Sequence, residues 1–68
     1  MNISKSIKVG LVLKDMKALD VAKATSKSSV TVSSWMTSKS DPKLKEVEKM
    51  AELFDVPVST FIEWGEER

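Results

Sequence analysis

The densest run of functional groups lies between Thr25 and Ser40, where ten of sixteen residues are Ser or Thr. Hydroxyls donate and accept hydrogen bonds without carrying charge. Lysines bracket the run, with Lys17, Lys23 and Lys27 around its start and Lys39 and Lys43 around its end. Lysines in such numbers are candidate contacts to a polyanion. The plain alternative for any one lysine is a solvated surface charge, and that is the expectation for Lys5, Lys45 and Lys49.

Other chemistry is poorly supplied. The chain has no Cys and no His, so it lacks thiolate and imidazole ligands and the commonest general base near neutral pH. Tyr is also absent. No metal site and no cofactor are expected. Ser40-Asp41-Pro42-Lys43 matches the Ser-x-x-Lys pattern of some serine acyl enzymes, but two fixed residues in four arise by chance in a chain this rich in Ser and Lys. A 68-residue domain also has little room for an enclosed substrate pocket beside a core. The expectation is no enzyme and no small-molecule ligand.

Charge is distributed unevenly. Residues 1–45 hold nine lysines against Asp15, Asp20 and Asp41, a net of +6. Residues 46–68 hold Lys49 and Arg68 against seven acids, a net of −5. A basic half beside an acidic half is the footprint of a small polyanion binder, the other reading being an ordinary mixed surface. No apolar run approaches the roughly 20 residues that span a bilayer, and Lys8 and Lys14 interrupt the first stretch. A cytoplasmic location with no membrane partner is therefore expected.

The elements that must hold the hydroxyl-rich run are short helices. Ile3, Ile7, Leu11 and Met16 form one stripe, widened by Val9 and Leu13, and predict a helix over 3–15. Gly10 inside it points to close approach of another helix. A second helix is expected over 17–24, with Leu19, Val21 and Ala22. The run 25–40 contains the strand-formers Val30-Thr31-Val32, so a strand or a flexible segment competes there. Helix is preferred because Val32, Trp35 and Met36 share one helical face and Ser28 is a good N-cap. Asp41 as N-cap with Pro42 at the first helical position predicts a fourth helix, carrying Leu44, Val47, Met50, Ala51 and Phe54. Ser59 is expected to cap a last helix over Thr60–Trp64, with Gly65 as its C-terminal stop. The fold class is all-α, a compact bundle of four to five short helices. Residues 1–65 form its one domain, and 66–68 are expected to be frayed.

Two short helices joined at residues 25–27 suggest a helix-turn-helix. Tight crossing needs a small residue midway along the first helix, which Ala22 provides, and a compact turn residue four positions later, which Ser26 provides. Val32 and Trp35 serve as anchors on the inner face of the second helix, and Val21 joins Ala22 in that core. The outer face is then free to enter a major groove about 12 Å wide.

At this point the chain resembles the lambda-repressor-like helix-turn-helix family, which includes phage Cro and repressor proteins and the xenobiotic-response-element regulators. The resembling residues are Met16 to Ala22, Thr25 to Ser28, Thr31 to Trp35, Lys39 and Pro42, then Leu53 to Ser59 with Phe61, Trp64 and Gly65. The resemblance covers nearly the whole chain and implies a sequence-specific regulator that binds double-stranded DNA, of the Cro repressor kind. Family positions that contact bases map onto Ser29, Val30 and Ser34, and Ser28 and Thr31 map onto phosphate-facing or mixed positions. With Lys17, Lys23, Lys27, Lys39 and Lys43 these make up the expected phosphate contacts. None of the base-facing residues is an Arg, Asn or Gln, so direct hydrogen-bonded readout is expected to be thin, leaving methyl contacts, water and DNA shape.

The chain departs from the family at four positions. Ser26 stands where the turn usually holds Gly and calls for a left-handed backbone. Lys27 replaces an apolar residue, Ala18 a Gln that touches the DNA backbone, and Leu11 an Arg. The missing Gln and Arg support an alternative: a helix-turn-helix module that binds protein instead of DNA, as an antirepressor or antitoxin-like partner. Phe61, Ile62 and Trp64 would be core, or the surface of a homodimer or partner complex.

Overall fold

A computed structural model describes residues 2–66. Five helices follow in order: α1 (Ile3–Leu13), α2 (Ala18–Thr25), α3 (Ser29–Met36), α4 (Leu44–Leu53) and α5 (Val58–Glu63). The described residues contain no strand, and Val30 to Ser34 lie within α3, which removes the competing extended reading of that segment. α2 packs on α3 and α4, α1 packs on α3 and α5, and α5 returns to α4.

The core is small and shared by all five helices. Ile7, Val21, Val32, Met50, Phe54 and Phe61 are completely buried. The rings of Phe54 and Phe61 stack with centroids 5.9 Å apart, and Trp64 meets both at 6.0 and 6.1 Å. Gly10 sits against this cluster. A Cβ there would lie 2.7 Å from the Phe54 ring, so the glycine permits the close approach that its place in the helical stripe suggested.

Several boundaries differ from expectation. α1 ends at Leu13 and not at residue 15, because Asp15 turns left-handed (φ 52°) and the Met16 amide donates back to the Leu11 carbonyl at 2.9 Å. Leu13 is consequently 61% exposed and does not join the buried stripe. α2 runs one residue later at each end than expected. α4 does not begin at Asp41-Pro42. Its N-cap is Lys43, whose amide donates to the Glu46 carboxylate at 2.9 Å, so the acceptor comes from the third helical residue and not from the cap. Leu44, expected on the apolar face, is 68% exposed.

The last helix begins at Val58 after Pro57, two residues earlier than a Ser59 cap would allow. The Phe61 amide donates to the Pro57 carbonyl at 3.1 Å, and this start places Phe61 in the core. Gly65 has no positive φ. Its role is steric: a Cβ would collide with the Asn2 carbonyl and the Ser6 hydroxyl at the start of α1. Of the segment 66–68, only Glu66 falls within the described residues, and its amide donates to Glu63 at 3.0 Å.

Candidate nucleic-acid interface

α2 and α3 are joined through Ser26, Lys27 and Ser28. Ser26 adopts the left-handed conformation its position demands (φ 58°, ψ 34°). This lets the Lys27 amide donate to the Ala22 carbonyl at 3.0 Å, closing α2. Thr25 is buried, and its hydroxyl is satisfied by the Val21 carbonyl at 2.8 Å. Ser28 then opens α3. Its Oγ accepts the Thr31 amide at 3.2 Å and lies 3.1 Å from the Thr31 hydroxyl. Val21, Ala22, Val32 and Trp35 are all buried where the two helices cross.

Helix α3 is fixed from behind and at both ends. Val32 and Trp35 hold its inner face. The Ser4 hydroxyl of α1 donates to the Met36 carbonyl, satisfying one open acceptor of the last turn. Beyond Met36, Ser38 turns left-handed (φ 62°), and the Lys39 amide donates to the Ser34 carbonyl at 2.9 Å. Lys39 is thereby placed close beneath the helix.

The outward surface of α3 is a shallow groove lined by Ser29, Val30, Ser33, Ser34, Thr37 and Lys39. Val30 is 74% exposed, while Ser34 is half-buried. Of the residues singled out for DNA contact, the groove brings together Ser29, Val30, Ser34 and Lys39. It does not include Lys17, Lys23, Lys27 or Lys43. Lys17 is the N-cap of α2, Lys23 is in its last turn, Lys27 is in the turn and Lys43 is the N-cap of α4. All four are exposed. Ser28 is exposed and Thr31 half-buried.

The groove also holds Ser33 and Thr37, which the family register left out. Their four-residue spacing from Ser29 places all three on one helical side and was visible in the sequence. The Thr37 hydroxyl donates to the Ser33 carbonyl at 3.0 Å, so its proton is already committed and only its acceptor side is open. The hydroxyls of Ser29, Ser33 and Ser34 make no hydrogen bond to a described residue.

Electrostatics separate α3 from its neighbours. α2 and α4 carry Asp20 and Glu46 in their first turns, whereas α3 has no acid there. Its N-terminal amides and the positive end of its dipole face neutral serines beside Lys27. Five of the ten lysines, Lys17, Lys23, Lys27, Lys39 and Lys43, lie on or beside α2, the turn and the α3–α4 loop, whereas Lys5, Lys8 and Lys14 lie on or beside α1, and Lys45 and Lys49 share α4 with Glu46, Glu48 and Glu52.

The Ser-x-x-Lys pattern falls on the loop that leads into α4, with Ser40 and Lys43 both exposed. No group of three acidic, His or Cys residues able to hold a metal occurs among the described residues. Among the same residues no helix is long and apolar enough to cross a membrane.

Two short helices crossing over a buried small residue, with the second presenting an open polar face, define a helix-turn-helix domain. A family model described as helix-turn-helix matches residues 7–61. The chain belongs to this lambda-repressor-like helix-turn-helix family, a family of DNA-binding transcription-regulatory domains. Comparisons with curated proteins and with solved structures give no match.

Proposed function

We propose that this chain is a small sequence-specific repressor of the phage Cro type, acting in the cytoplasm on double-stranded DNA without a cofactor. Residues 1–65 are the DNA-binding unit. The observation that carries the reading is the outer face of α3, where Ser29, Val30 and Ser33 are exposed beside half-buried Ser34 while Val32 and Trp35 anchor the helix from behind. That face enters the major groove with its N-terminal residues toward the base edges. Lys17, Lys23, Lys27, Lys39 and Lys43 contact phosphates, with Ser28 and Thr31 at the start of α3.

One copy offers few contacts, so the working unit is a two-fold dimer on half-sites about 34 Å apart. Phe61 is wholly buried and cannot form the dimer surface. Ile62 instead lines a largely apolar groove with Ile3, Pro42, Leu44 and Val47, with Asp41 its one charged residue, and this supports pairing on that side.

Fluorescence anisotropy on duplex DNA at two salt concentrations tests the proposal. Affinity is expected to fall steeply with salt, because bound lysines release counterions. Lys39→Ala and Lys43→Ala are expected to weaken all sequences alike. No binding to any duplex at low salt would sink the proposal and favour the protein-binding module.

A further inference from the structure

Val30 is the only apolar side chain among the exposed residues of α3, and serines surround it. In the major groove the apolar feature a valine can meet is the C5-methyl group of a pyrimidine. The Ser29, Ser33 and Ser34 hydroxyls beside it are uncommitted and can each donate or accept. A serine serves thymine by donating to O4 and cytosine by accepting from the N4 amino group. No guanidinium, carboxamide or carboxylate lines the groove to force one of these choices, and its one charged group is Lys39. The Thr37 hydroxyl donates to the Ser33 carbonyl and keeps only its acceptor side, and it lies about 10 Å along the helix from Val30, beyond the same base pair.

We infer that α3 reads the methyl group of a pyrimidine and not the identity of its base pair, so that thymine and 5-methylcytosine are equivalent at the Val30 contact. The inference rests on the DNA-binding reading above and adds a form of regulation to it. Cytosine methylation at that contact raises operator affinity, and its loss lowers it. One buried methyl group corresponds to about a fourfold change in affinity per half-site.

The test begins with duplexes selected by the protein from a random pool. Each thymine is then replaced in turn by deoxyuridine, by cytosine and by 5-methylcytosine, with guanine opposite the two cytosines. At one position per half-site, the affinity ratio of thymine to deoxyuridine is expected to be about fourfold, with the ratio of 5-methylcytosine to cytosine equal to it. Val30→Ala is expected to bring both ratios to one. Two results overturn the inference while leaving DNA binding intact: salt-dependent binding with no thymine-to-uracil difference at any position, or 5-methylcytosine behaving as cytosine. Failure to bind any duplex would remove the DNA-binding reading itself.

Discussion

Helices α3 and α4 fill the same core in different ways. In α4, Val47, Met50 and Ala51 are buried while Lys45, Glu48 and Glu52 are exposed, and Glu46 satisfies the first amide. Polar and apolar residues are cleanly sorted, so many side chains share the work of holding it. In α3, Val32 and Trp35 alone are buried, and the exterior is Ser29, Val30 and Ser33. Two buried anchors with half-buried Met36 beside them, a serine cap and the Ser4 bond to the Met36 carbonyl hold that helix. Because its outer residues contribute nothing to the core, they are free to form a contact surface without affecting the fold.

That contrast breaks most visibly at Trp35. Trp35→Ala is expected to cost about 3–5 kcal/mol, a large part of the whole stability of so small a domain. Urea denaturation would measure it, and Val47→Ala in α4 is expected to cost less, since Met50, Ala51 and Phe54 still hold that helix. An effect of Trp35→Ala no larger than that of Val47→Ala would show that α3 is not held by so few side chains.

The junction between α2 and α3 sharpens the comparison at a smaller scale. Ser26→Gly removes the steric penalty of φ 58° and is expected to stabilise by about 1 kcal/mol. The melting temperature should rise by roughly 4–8 °C, and an unchanged value would mean that Ser26 bears no strain. Smallest of all, Val30→Ala and Ser33→Ala are expected to leave stability within about 0.5 kcal/mol of the parent. A larger shift in the denaturation midpoint would show that the outer face of α3 supports the fold after all.

The sequence reveals the helices unevenly, and the reasons are local. The apolar periodicity of α4 and the crossing of Ala22 with Val32 and Trp35 are written in side-chain spacing, so helix content and the helix-turn-helix are legible. Helix ends are less so. Asp15, Ser26, Ser38 and Asp55 all turn left-handed, and none is a glycine. Only Ser26 could be anticipated, from the glycine usual at its position. The other three follow from carbonyls in the last helical turn that need donors, as when the Val56 amide reaches Ala51 at 3.0 Å. Asp41 and Ser59 are good caps by residue type, yet Glu46 and the burial of Phe61 fix where α4 and α5 begin. The α3 groove is half legible: its serines can be read from spacing, but the commitment of the Thr37 hydroxyl proton depends on how the helix ends.

Gly65 rests on the carbonyl of Asn2, with no room between them for even a methyl group. The two ends of the helical bundle therefore meet, with α5 packed against α1. Helix α1 is walled by α3 on one side and by α5 on another, and only the second wall depends on the last helix. Trimming the chain behind α4 would open one flank of α1 and leave the other closed, like a box that loses a single side.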